Sequence, residues 1–148
     1  MNKERLMRLV QLLRDNANNP TGAKFDLSFW GEIPPAEWGK KSLEEGSVVP
    51  LTCNTTGCAL GLAALSGKFQ AEGLTWKSHG GIIEPAFEGR TGFEAGMAFF
   101  DLSYDEATGL FDPAYYAGVV QGAEAELKVA KRIKDYVSGV KMDVLYYT

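Results

Sequence analysis

The run Asn54-Thr-Thr-Gly-Cys-Ala-Leu-Gly-Leu-Ala-Ala-Leu-Ser-Gly67 constrains the fold more than any other part of the chain. Cys58, Leu60, Leu62, Ala63 and Leu65 are apolar, and only Ser66, near the end, is polar. A helix over 54–67 is therefore apolar nearly all round and has to be central, with other elements on every side. Asn54, Thr55 or Thr56 can cap its start by accepting a bond from an orphan backbone N–H, and Gly67 can end it. Gly57 and Gly61 lie four residues apart. Each costs about 1 kcal/mol relative to alanine in a helix interior. What they permit is close approach by a neighbouring element.

The elements that could wrap such a helix are recognisable. The spacing of Leu6, Leu9, Val10, Leu13 and Ala17 predicts an amphipathic helix over 3–17, stopped by Asn18-Asn19-Pro20. Phe25, Leu27 and Phe29 alternate with Asp26 and Ser28, as in a short half-buried strand, and 48–51 reads as another extended piece. Leu74-Thr75-Trp76 and Ile82–Phe87 flank Ser78-His79-Gly80-Gly81, the pattern of a β-hairpin. Pro85 cannot donate to a ladder, so its strand is expected at an edge. Thr91-x-x-Glu94 and Ser103-x-x-Glu106 have the capping-box form and predict helices over 92–101 and 104–111. Asp112-Pro113 is a third helix start, although Gly118 and Gly122 leave 113–120 open. Leu127, Ala130, Ile133 and Val137 form the stripe of a last helix over 123–138, and Val144–Tyr147 is β-prone. With 148 residues, 45% of them hydrophobic, the chain can bury a core. It reads as one α+β domain over 1–148, mainly helical, with four to five helices, one β-hairpin and room for a third short strand.

Several function classes are disfavoured. A net charge of −4 argues against nucleic-acid binding. The basic run Lys128–Lys134 is offset by Glu124, Glu126 and Asp135 and reads as a solvated helix face. One His and two Cys cannot complete a four-ligand zinc site. Asp101, Asp105, Glu106 and Asp112 lack the calcium-loop pattern, and the glycines form no phosphate loop. No metal and no cofactor are expected. The N-terminus lacks the continuous apolar run of a signal peptide, and no segment is apolar enough to span a membrane. A cytoplasmic protein follows, with both cysteines as thiols.

Two groups of residues could carry function. Cys53 and Cys58 fall at the start of the central helix, where the helix dipole lowers a thiol pKa, and His79 follows on the hairpin. Cysteine at a helix start, then histidine on a β element, is the order used by papain-like thiol hydrolases. The simpler reading is two core thiols and a turn histidine. Trp30 and Trp38 and the Tyr115-Tyr116 and Tyr146-Tyr147 pairs lie outside the core stripes. Exposed together, such aromatics make a recognition patch, and Trp30, Trp38, Tyr146 and Tyr147 are the binding candidates.

Cys53-Asn-Thr-Thr-Gly-Cys58-Ala-Leu-Gly61, Phe99–Pro113 with Leu102-Ser103-x-x-Glu106-Ala107-x-x-Leu110-Phe111, and Ala130-x-Arg132-Ile133 together resemble a group of small bacterial and phage proteins without an assigned activity. The likeness covers residues 53–63 and 99–133 and departs at Asn54 and Asp101, where the group more often has glycine. It implies a common helical fold in which Cys53 and Cys58 begin a packed helix and Leu110-Phe111 fill the core, and it supports no catalytic assignment. The favoured expectation is a non-enzymatic module, protein-binding or regulatory, with an unidentified protein partner or a second copy of itself. The alternative is a thiol hydrolase using Cys58 or Cys53 with His79.

Overall fold

The computed structural model describes residues 1–33, 44–79 and 82–146. Helix α1, Lys3–Ala17, is the predicted N-terminal helix. Asn2 caps it by accepting from the Arg5 N–H at 3.0 Å, and Leu6, Leu9, Val10 and Leu13 are buried. The central helix α2, Ala59–Ser66, has every residue from Ala59 to Leu65 buried, as its composition demands. It starts later than 54, because Thr56 and Gly57 pair as a strand instead, and Cys58 stands at the cap position. Gly67 ends it with φ 75°, a left-handed conformation that glycine adopts without strain.

The strands are β1 (Lys24–Phe25), β2 (Gly31–Glu32), β3 (Thr56–Gly57), β4 (Thr75–His79), β5 (Ile82–Phe87) and β6 (Arg90–Thr91). They form one sheet in the order β1-β3-β2-β5-β4, with β6 also on β5. The hairpin is β4–β5, in a register running from Thr75 opposite Ala86 to His79 opposite Ile82. Gly80 and Gly81, assigned to its turn, lie outside the described residues. The placement of Pro85 differs from expectation: β5 is an interior strand, flanked by β2 and β4. Among the described residues its side away from β4 is paired only at Ile82, with β2, and at Ala86 and Phe87, with β6. Pro85 sits in the interval between them, where a missing N–H leaves no gap in a ladder.

The remaining helices are α3 (Gly92–Phe100), α4 (Tyr104–Phe111), α5 (Gly122–Val137) and α6 (Met142–Leu145). Six α-helices and six strands among the described residues thus make an α+β fold with more pieces than the four to five helices and one hairpin expected. The Ser103 box is complete: Ser103 Oγ accepts from the Glu106 N–H at 3.1 Å, and Glu106 Oε1 accepts from the Ser103 N–H at 2.9 Å. Thr91 caps α3 by position only, with no side-chain bond. Asp112-Pro113 opens a short 3-10 turn, Pro113–Tyr115, rather than a helix. The tail is helical where a strand was expected, and 48–51 is not a strand. Of the alternation read from 25–29, Phe25 and Leu27 are buried and Ser28 is exposed as expected, but Asp26 is buried and Phe29 is half exposed.

The long helices α1 and α5 pack on each other, and α2 lies between α1 and the sheet. One hydrophobic cluster runs from Leu6 to Ile133 and includes edge-to-face contacts among Phe69, Phe99 and Phe100. A 3-10 turn at Gln70–Glu72 is tied to α1 by Arg8, whose Nη1 lies 2.7 Å from Glu72 Oε2.

Candidate functional site

The two thiols stand in different surroundings. Cys58 is buried, and its thiol donates toward the Trp30 carbonyl at 3.8 Å. The N–H groups of Leu60 and Gly61 favour the thiolate, as expected at a helix start. Burial outweighs them and pushes the thiol up to about 11, opposite to the expected direction. Cys53 is exposed, but it precedes β3 and is on no helix, so the dipole argument does not reach it. The backbone of His79 ends β4, and its side chain lies outside the described residues.

Of the aromatic candidates, Trp38 and Tyr147 lie outside the described residues. Tyr146 is engaged internally. Its ring stacks on Tyr115 with centroids 4.6 Å apart, beside Arg132. The buried Arg132 guanidinium lies 3.8 Å from the Tyr116 ring centroid and donates to the Gly109 carbonyl at 3.2 Å. A Cβ on Gly109 would come within 2.7 Å of Met142 Sδ and 3.0 Å of Tyr146 Oη. Tyr146 therefore seats α6 on α4 and α5.

Trp30 is placed differently. The α2 helix meets the chain at residue 30 so closely that a Cβ on Gly61 would stand 1.3 Å from the Trp30 carbonyl oxygen. The Cys58 N–H donates to the Phe29 carbonyl at 2.8 Å and fastens the same segment. With its backbone pressed on α2, Trp30 packs its indole against Phe93 of α3, centroids 4.9 Å apart at 77°. Beside them opens a pocket of about 200 Å³ whose wall includes Phe29, Trp30, Phe93, Phe111, Asp112 and Pro113. Phe29 stands at its rim, 50% exposed, and Asp112 Oδ1 accepts from the Ala114 N–H at 2.9 Å.

A second groove, of about 590 Å³ and mixed polar and apolar lining, lies where the end of α1, β1 and the start of α5 meet. Glu126 and Asp26 line it, although Glu126 is only 1% exposed. Both Glu126 oxygens accept from Asn16 Nδ2, at 3.0 and 2.9 Å. Asn16 also brackets Ala23, accepting from its N–H at 2.7 Å and donating to its carbonyl at 3.0 Å. Burial pushes the Glu126 carboxyl up to about 7, against the opposing Asn16 bond. Asp26 accepts from the Ser28 N–H and from Gln121 Nε2. Both carboxyls thus join chain segments to one another. The sequence reading placed Glu126 and Arg132 on a solvated face, whereas both are buried. The helical pattern conceals them because Leu127, the largest residue of the expected stripe, is 41% exposed, while Ala125, Val129, Ala130 and Ile133 face the core.

Among the described residues no three His, Cys, Asp or Glu side chains are grouped to hold a metal ion, and no helix is long and apolar enough to cross a membrane. No protein-family model, curated protein or solved structure matches the chain.

Proposed function

We propose that the chain is a non-enzymatic module, protein-binding or regulatory, that docks a partner protein through the pocket beside Trp30. The observation that carries this is a half-exposed phenyl ring, Phe29, at the rim of a cavity walled by further aromatic rings. Aromatic side chains that can lose their remaining water on contact are the usual anchors of protein interfaces. Covering the rest of Phe29 contributes about 1 kcal/mol from apolar area alone. The pocket is held by the close α2 contact, so it needs little ordering on binding. The partner is another protein or a second copy of this chain, the setting is the cytoplasm, and an origin among bacterial or phage proteins follows the motif resemblance. The hydrolase alternative has a buried thiol with a raised pKa against it.

Screening the full chain against a synthetic peptide library whose lysines are presented both free and trimethylated tests the reading. The expected result is a set of peptides whose binding is lost in Phe29→Asp and retained in Val144→Asp, a substitution at an exposed residue outside the pocket wall. Binders indifferent to Phe29→Asp would overturn it.

A further inference from the structure

We infer that the pocket beside Trp30 receives an alkylated ammonium group, the head of a methylated lysine on the docking partner. This rests on the reading of that pocket as the docking site. Four aromatic residues, Phe29, Trp30, Phe93 and Phe111, contribute to its wall. Among the described residues of its wall, the one formal charge is the carboxylate of Asp112, and none is Lys, Arg or His. The whole chain is also net negative, at −4. A cavity with aromatic residues and a carboxylate in its wall attracts positive charge through the ring quadrupoles and through Coulomb attraction. At about 200 Å³ it is smaller than the about 300–1,000 Å³ of ordinary small-molecule sites, and it suits a single side-chain head.

Hydrogen-bond supply selects the kind of cation. A primary ammonium brings three N–H donors that lose water on entry. The side-chain acceptors in the wall are few, Ser28 and Asp112, and one Asp112 oxygen already receives the Ala114 N–H. The Trp30 carbonyl is approached by the Cys58 thiol and covered by Gly61. A buried donor without a partner weakens binding, so an unmodified lysine is poorly served. A trimethylated ammonium has no N–H to satisfy, and its methyl groups can lie against the aromatic residues of the wall. Its charge is spread over those methyls, where ring faces and the Asp112 carboxylate act on it.

The test titrates the full ¹⁵N-labelled chain with three small probes: Nα-acetyl-trimethyllysine amide, the lysine equivalent, and the neutral isostere carrying a tert-butyl head. The Trp30 indole N–H resonance is the readout. The expected result is a saturable shift with trimethyllysine, at an affinity about tenfold above that of the neutral isostere. Phe29→Ser abolishes it. Asp112→Asn weakens trimethyllysine binding severalfold and leaves the neutral probe unchanged, since asparagine keeps an acceptor for the Ala114 N–H. Equal binding of the neutral isostere, a shift that survives Phe29→Ser, or no saturable shift from any probe overturns the ammonium assignment. Selected peptides that depend on Phe29 yet carry no cationic residue would overturn it while leaving the docking reading intact. A library without Phe29-dependent binders removes the docking reading itself.

Discussion

Glu126→Gln should abolish most of the pH dependence of stability between pH 5 and 8. Burial raises the Glu126 carboxyl from 4.5 to about 7 in the folded chain. A group whose folded pKa lies above its unfolded value stabilises the fold fully below the unfolded value, and that contribution is lost as pH rises through the folded one. The window is therefore from about pH 4.5 to 7, and the loss across it is about 3 kcal/mol. That is a large share of the roughly 5–15 kcal/mol stability of a domain. Glu72, hydrogen-bonded by Arg8, and Glu106, bonded by Ser103 and Tyr136, are held below the usual carboxylate range. Their contributions are complete above that range and fall away only in acid, so they add no slope above pH 5. Glutamine keeps an oxygen to accept from Asn16 Nδ2 and has no charge to bury. Urea unfolding followed by far-ultraviolet circular dichroism at pH 5, 6, 7 and 8 measures the effect. The parent chain should lose about 3 kcal/mol over this range, and the variant should stay level. A parent chain whose stability is flat or rises with pH, or a variant with the parent's slope, would refute the assignment of that slope to Glu126.

Three further outcomes follow from the packing. Gly61→Ala should destabilise the fold by about 3 kcal/mol or more, because its Cβ would stand 1.3 Å from the Trp30 carbonyl oxygen; thermal unfolding with an unchanged midpoint would contradict this close approach. Iodoacetamide at pH 8 should alkylate exposed Cys53 and spare buried Cys58 until denaturant is added, as read by mass spectrometry of the peptides. Comparable labelling of both thiols in the native chain would reopen the hydrolase alternative. Ser103→Ala should cost about 1 kcal/mol in urea unfolding by removing the cap of α4, and a neutral result would show that the box adds nothing.

What the sequence discloses here follows local physics. Helix α1 is legible from its apolar spacing and helix α4 from its capping box, each within one short window. The β4–β5 hairpin was legible because both strands flank a Gly-Gly pair. Four of the six strands contain two residues each, too short for any periodicity, and they exist because neighbours distant in the chain supply partners. The buried Glu126 and Arg132 were hidden because a charged residue is ordinarily read as facing water. Only the structure reveals Asn16 against one and Tyr116 against the other. At the pocket, Trp30 was picked out as an aromatic outside the core stripes. Phe93, Phe111 and Pro113 come from other elements and meet it only after α3 and α4 have packed. Gly57 and Gly61 marked the close approach in advance but could not name Trp30 as the residue that makes it.

Docking at the pocket is tested most directly by photo-crosslinking in the cells the protein comes from, with benzoylphenylalanine in place of Phe29 or of Val144. The expected result is one discrete crosslinked protein from position 29, lost when an excess of a Phe29-dependent peptide is added, and none from position 144. Crosslinks of equal yield from the two positions, or no discrete product from position 29, would contradict the assignment of this pocket as the partner's docking site.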